Sequence, residues 1–340
     1  MRNLLEIQKK LVPDMMEILQ KRYDILHRIS TSGKIGRRSL AAEVDLTERV
    51  LRSELETLRA QGLLSIGTDG MALSEAGKRL LEDMKPLVKE LFGLSELEER
   101  LQAAFGLKRV VIVPGDSDES DHVKWELGRA GAHVLRDSMS PGDVVAVMGG
   151  STMFRMAAQF SMPTAQRDNW FVPARGGLGE SVDYQANTIA SELAKRTGAR
   201  YRMLHVPDHL SEEAYQSIMQ EPGVREVVDM IRGARIVVHG IGDAMTMARR
   251  RKLVPETMEE IRKDGALAEA FGYYFDRDGK VVHRMATAGL RLEDIEAAGV
   301  VIGIAGGRSK GEAIASVLRF GHDDILVTDE AGALEALRHH

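Results

Sequence analysis

The chain has 340 residues, no cysteine and a formal net charge of −5. That length allows two domains, and a composition that is 44% apolar supports a substantial core and excludes a disordered chain. The absence of cysteine excludes disulfides, zinc–thiolate sites and thiol nucleophiles. The opening MRNLLEIQKKLVPDMMEILQ is charged throughout, unlike a signal peptide, and no apolar run reaches membrane-span length, so a cytoplasmic protein is expected. Charge is uneven. Residues 1–80 hold 14 Lys/Arg against 11 Asp/Glu, a net +3, and the rest hold 32 against 40, a net −8. A mildly basic head on an acidic body is compatible with nucleic-acid binding by the head.

In the head, Met16, Leu19, Tyr23, Leu26 and Ile29 recur at helical spacing, and Ser30, Ser32 and Gly33 end that helix. GRRSLAAEV follows as a short helix carrying Leu40, Ala41 and Val44. Thr47 then caps ERVLRSELETLRAQG, with Val50, Leu51, Leu55 and Leu58 expected inward and Gly62 as the stop. Short helix, tight turn and longer helix form a helix-turn-helix. LLSIGTDGMAL adds a hairpin wing turned at Thr68-Asp69-Gly70, and Ser74 and Glu75 start another helix. The second helix of the motif is expected in the DNA major groove. Thr47, Glu48, Arg49, Arg52 and Ser53 lie near its outer N-terminal face, and Arg37 and Arg38 are placed for phosphates. The competing reading is a small protein-interaction domain with solvated arginines.

From Ser74 to Leu107 the pattern is mainly helical, with interruptions at Pro86 and Gly93. Leu80, Leu87, Leu91, Leu94, Leu97 and Leu101 read as ordinary core rather than a zipper, because the heptad is broken. The domains are set at 1–88 and 89–340. Beyond the boundary, VVIV, VVAVMGG, WFVPARGG, YRMLHV, RIVVHGIG, VVIGIAGG and ILVTDE are short apolar strands that end in polar or glycine-rich turns. They alternate with helical segments. The expected body is a Rossmann-like, mainly parallel α/β domain, with FGYYFDRDGKVVHRM as an inserted hairpin.

Ligands collect at the carboxyl ends of such strands. Those ends hold Gly149-Gly150-Ser151-Thr152, Arg175-Gly176-Gly177, Gly240-Ile241-Gly242 and Gly306-Gly307-Arg308-Ser309-Lys310. Paired glycines let backbone N–H groups approach an oxyanion, and Ser151 and Thr152 add hydroxyls. Arg175 offers a planar fork, and Lys310 a point charge at a helix start. Each glycine pair alone is explained by a tight turn; together they point to a ligand with phosphates at both ends.

Other motifs carry less. Gly240-Ile241-Gly242-Asp243-Ala244-Met245 lacks the third glycine of a dinucleotide fingerprint. Asp116, Asp118 and Ser120 imitate the start of a calcium loop, but Leu127 stands where the closing glutamate belongs. Pro207 disfavours a helix aligning His205 with His209 as metal ligands. RRRK at 249–252 reads as a solvated helix end from which one arginine could reach a phosphate.

With head and body in view, IGRRSLAAEV, ERVLR, FVPARGGLGE, QANTIA, VHGIGDAMTMARRR, EAFGYYFDRDG and VTDEAGA make the chain resemble the sugar-binding transcriptional regulators of the SorC class, over essentially its whole length. The resemblance implies a winged helix-turn-helix head followed by an effector domain of the phosphosugar isomerase/deaminase-like fold. It further implies repression of a glycolytic operon, relieved by fructose 1,6-bisphosphate, with no other cofactor and no metal. Dimers assembling into tetramers on operator DNA are implied as well. Carried over by position, the effector residues are Gly149, Gly150, Ser151, Thr152, Arg175, Gly177, Leu178, Gln185, Arg250, Glu269 and Lys310. Ser151 replaces a familiar threonine, and Arg308 stands where a small polar residue is usual; it either tightens phosphate binding or points to solvent. The alternative function is a sugar-phosphate isomerase or deaminase with a regulatory head, for which Glu269 is the candidate base.

Overall fold

The computed structural model describes residues 11–32, 35–44, 46–67, 70–91, 93–177, 181–207, 212–285 and 287–340. The chain divides into two compact units, Met1–Ser95 and Glu96–His340. The division expected at 88/89 falls within the helix Glu75–Leu91.

The first unit runs α1 (Pro13–Ser32), α2 (Arg37–Glu43), α3 (Glu48–Ala60), β1 (Leu64–Gly67), β2 (Gly70–Leu73) and α4 (Glu75–Leu91). In α3, Leu51, Leu55 and Leu58 sit at i, i+4 and i+7 and are at most 2% exposed. They meet Tyr23, Leu26 and Ile29 of α1 and Leu40 of α2 in one core. Val50 departs from expectation. It is exposed, because it lies a quarter-turn off the 51/55/58 face. The Thr47 hydroxyl accepts from Val50 N–H at 3.4 Å and caps α3. Gly62, at φ +75°, turns the chain out of the helix toward the hairpin. There Leu64 pairs with Leu73 and Gly67 with Gly70, antiparallel.

The Ser74 hydroxyl accepts from Gly77 N–H at 3.0 Å and donates to Gly62 O at 2.6 Å, tying the base of the wing to the end of α3. Ser30 and Ser32 lie inside α1 rather than beyond it. Gly33, the Thr68-Asp69 tip and the side chains of Met16, Leu87 and Leu91 lie outside the described residues. Helix α4 continues through position 86, and the break comes only at Gly93, at φ +67°, before α5 (Leu94–Phe105).

The second unit continues with β3 (Arg109–Val113), α6 (Asp121–Ser138), β4 (Val144–Val147), α7 (Ser151–Gln159), β5 (Trp170–Pro173), α8 (Ala186–Thr197), β6 (Arg200–Tyr201), α9 (Glu212–Ile218) and α10 (Pro222–Arg232). Next come β7 (Ile236–Gly240), β8 (Gly242–Asp243), α11 (Ala244–Arg250), α12 (Pro255–Lys263), β9 (Ala268–Ala270), β10 (Tyr273–Phe275) and β11 (Val281–Arg284). The chain closes with α13 (Leu292–Ala297), β12 (Val300–Ile304), α14 (Gly311–Phe320), β13 (Ile325–Asp329) and α15 (Glu330–Arg338).

Seven strands form a parallel sheet in the order β3-β13-β12-β7-β4-β5-β6. Strands such as Ile236–Gly240 read as continuous apolar runs because helices cover both faces of such a sheet. The inserted hairpin, turned at Gly279 with φ +77°, is β10–β11 of a four-stranded antiparallel sheet, β11-β10-β9-β8. From β4 the chain proceeds outward through β5 and β6, then returns to place β7 on the opposite side of β4. That reversal opens a crevice at the carboxyl ends of β4 and β7, the usual ligand position in open α/β sheets. Among the described residues, no helix is long and apolar enough to cross a membrane.

Candidate anion-binding site

A cavity of about 260 Å³ opens at this crevice. Its size suits a small metabolite, near the lower end of the roughly 300–1,000 Å³ usual for ligand clefts. The turn after β4 brings Gly149, Gly150, Ser151 and Thr152 to the wall. Arg175 follows β5, Arg250 ends α11, Glu269 sits on β9, and Lys310 ends the short 3-10 turn Arg308–Lys310 after β12. These expected residues converge from five separate segments of the chain.

Gly177 and Gln185 do not line the cavity. Gly177 N–H donates to Val206 O at 3.0 Å, and the Gln185 side chain lies against the Gly177 Cα. Leu178 and His209 lie outside the described residues, and His205 is in a segment without helix.

The N-terminus of α7 is open. Gly150, at φ +123°, is its N-cap and supplies no side chain; the cap C=O receives Phe154 N–H at 2.9 Å. The three intervening N–H groups therefore project from the helix end with the positive pole of its dipole behind them. Gly149 is required here for space: a Cβ would come within 2.6 Å of Tyr184 O.

The glycine-rich turn after β12 behaves differently. Contrary to the expectation from its paired glycines, its backbone is not available to an anion, because protein carboxylates already fill it. Gly307 N–H donates to Asp329 Oδ2 at 2.8 Å, Arg308 N–H to Asp116 Oδ1 at 3.3 Å, and Ser309 N–H to Asp118 Oδ2 at 2.7 Å. What remains for a ligand is side chains, above all Lys310. No carboxylate stands within salt-bridge distance of its ammonium among the described residues. Burial pushes the Lys310 pKa below the ordinary lysine value, the field of Arg250 adds to that, and Asp118 and Asp329 oppose it. Arg308 is settled: its side chain is 67% exposed, with Nε 3.7 Å from Asp116 Oδ2, and it is absent from the cavity wall.

Glu269 is locked. Its Oε1 accepts from Arg251 Nη2 at 2.6 Å, from Gly272 N–H at 2.8 Å and from Arg175 Nη1 at 3.5 Å. Held by two guanidinium groups and a backbone N–H, this carboxylate orients Arg175. Arg251 corrects the sequence reading of RRRK, since its side chain is only 3% exposed. Helical periodicity beyond Arg250 could have signalled an inward face; its partner, 18 residues away on β9, could not have been inferred. Phe271 was missed as well. It lines the cavity at φ +58°, and its ring lies 4.0 Å from that of the buried His239.

In the head, Arg37, Arg38, Thr47, Glu48, Arg49, Arg52 and Ser53 are all exposed. Glu48 Oε1 lies 3.5 Å from Arg38 Nε, and Arg52 Nε is 3.1 Å from Glu56 Oε1. Exposed pairs of this kind contribute at most about 1 kcal/mol, so these arginines remain free to exchange partners.

Residues 89–338 match the family model for a sugar-binding domain, and residues 18–88 match that for the CggR N-terminal DNA binding domain. The chain is 47% identical to the central glycolytic genes regulator of Priestia megaterium and 45% identical to that of Bacillus subtilis, in each case over 99% of both chains. A crystal structure from Enterococcus faecalis, described as a SorC family transcriptional regulator, is 42% identical, with a TM-score of 0.67 over 71% of this chain and 99% of that one. The chain belongs to the SorC family. As a SorC family protein it joins a DNA-binding head to a sugar-binding body and is a sugar-responsive transcriptional regulator. The full-length sorbitol operon regulator SorC from Klebsiella pneumoniae shares the fold at 19% identity, with a TM-score of 0.67 over 90% of this chain and 94% of that one.

Proposed function

We propose that this regulator represses glycolytic genes in the cytoplasm and that fructose 1,6-bisphosphate, held in the body cavity, weakens its hold on the operator. The observation that carries this reading is the pairing, in one cavity, of an uncapped helix N-terminus with an ammonium that lacks a carboxylate partner. A desolvated ammonium with no carboxylate in direct contact is costly, and a phosphate supplies that contact. Arg250 and Arg175 offer planar guanidinium groups for a second phosphate. The carboxylates of Glu269 and Asp243 can accept from sugar hydroxyls between the two ends.

In this account the head binds operator DNA through Arg49 and Arg52 on α3, with Arg37 and Arg38 on the backbone. The chain self-associates as a dimer and forms a tetramer on the operator. The effector acts by binding one assembly state more tightly than another, which by linkage lowers operator affinity or cooperativity. Thermal-shift measurements against glycolytic mono- and bisphosphates, repeated with operator DNA, test this. Fructose 1,6-bisphosphate is expected to give the largest stabilisation and to release DNA. Equal stabilisation by monophosphates, or none by any, contradicts the assignment.

A further inference from the structure

We infer that Asp118 is a positioning residue for Lys310: its carboxylate holds the 307–310 turn in the shape that delivers the ammonium to the cavity. The inference rests on the effector reading above.

The Gly-Gly-Arg-Ser-Lys turn has little of its own to hold it. Gly307 adopts φ +100°, and the internal bond of the turn is Lys310 N–H to Gly307 O at 3.1 Å. Its remaining N–H groups are fastened from outside, by carboxylates from two other segments. Asp329, fully buried, accepts from Gly307 N–H and also from Ser117 N–H at 2.7 Å and Gly332 N–H at 2.8 Å, so it is bound into the fold at large. Asp116 accepts from Asp118 N–H at 2.9 Å and shapes the 116–118 turn. Asp118 then makes the contact nearest Lys310, a 2.7 Å bond from Ser309 N–H to Oδ2.

The Asp118 carboxyl also lies over the Gly307 Cα: a Cβ at 307 would fall 2.5–2.8 Å from its atoms. Asp118 forms no salt bridge with Lys310; its charge favours the ammonium at longer range, while its direct grip is on the backbone, at Ser309 N–H. The Asp116/Asp118 pattern, which as a sequence imitated a metal loop, thus has a different employment. It turns a flexible glycine-rich segment into a preset arm.

Two substitutions separate position from charge. Asp118→Asn keeps an acceptor oxygen in place and removes the charge. Asp118→Glu keeps the charge and moves it by one methylene into the space above Gly307. Calorimetric titration of the full chain at 25 °C with fructose 1,6-bisphosphate as the probe, alongside wild type and Lys310→Ala, reads the difference. Asp118→Asn is expected to bind within about three-fold of wild type, whereas Asp118→Glu weakens about ten-fold or more, the scale of one charge-assisted hydrogen bond. Equal affinities, or Asp118→Glu binding as tightly as Asp118→Asn, overturn the inference. A wild-type protein that does not bind the probe, or a Lys310→Ala protein that binds it equally well, overturns the effector reading beneath it. Wild-type binding that Lys310→Ala loses and Asp118→Glu keeps defeats the positioning role alone.

Discussion

The two units of this regulator present their cations in opposite ways. The head offers Arg49 and Arg52 on an exposed helix face, where each cation is solvated and exchangeable. The body offers Lys310 and the open end of α7 inside a cavity, where charge is partly desolvated and held by the surrounding fold. Under the function proposed above, the contrast teaches that a polyanion is bound by many cheap contacts whose sum depends on counterions, whereas a small bisphosphate requires a few contacts prepared in advance.

The sharpest way to break this contrast is salt. Raising it from 50 to 200 mM is expected to cost operator affinity about 10³–10⁵-fold if 6–10 phosphates are contacted. Bisphosphate affinity should fall far less, as measured by anisotropy for DNA and calorimetry for the sugar. Comparable losses would mean that the cavity is as solvated as the head. Next in size is Lys310→Ala, expected to weaken fructose 1,6-bisphosphate about 100-fold, because it removes a desolvated counter-charge. The ligand-free variant should still bind the operator.

Arg49→Ala or Arg52→Ala should cost operator binding about ten-fold, within the 1–3 kcal/mol of a base or phosphate contact, and leave effector-induced thermal stabilisation intact. Loss of both responses would show that the units are not separable in this way. The smallest effect concerns pH. Burial lowers the Lys310 pKa in the free protein, and a bound phosphate restores the charged form. The complex therefore holds more proton than the free protein, and bisphosphate affinity must fall as pH rises through the window below the ordinary lysine pKa of 10.5. Lys310→Arg should flatten that fall.

Local pattern made much of this architecture legible. The spacing of Leu51, Leu55 and Leu58, the Thr47 cap and the Gly62 stop define α3 within a single window of sequence. Each β-strand ending in glycine could likewise be read, and the strand ends that converge on the cavity follow from a parallel sheet. What could not be read is set by partners far away in the chain. The turns at Gly149-Gly150 and Gly306-Gly307 look alike as sequence, yet the first is left open and the second is filled by Asp116, Asp118 and Asp329. Asp118 is 191 residues from Ser309, so no local rule brings them together. The same holds for Arg251, whose burial depends on Glu269 across the small sheet. Val50 differs for a simpler reason: apolar character alone does not separate it from the buried face that begins one residue on, at Leu51.

The central claim, that filling the body cavity loosens the grip of the head, is tested most directly by one titration. A fluorescent operator duplex saturated with the full chain is titrated with fructose 1,6-bisphosphate while anisotropy is followed. A decline to a lower plateau, absent in Lys310→Ala, is the result this account predicts. An anisotropy that stays flat up to millimolar ligand contradicts it.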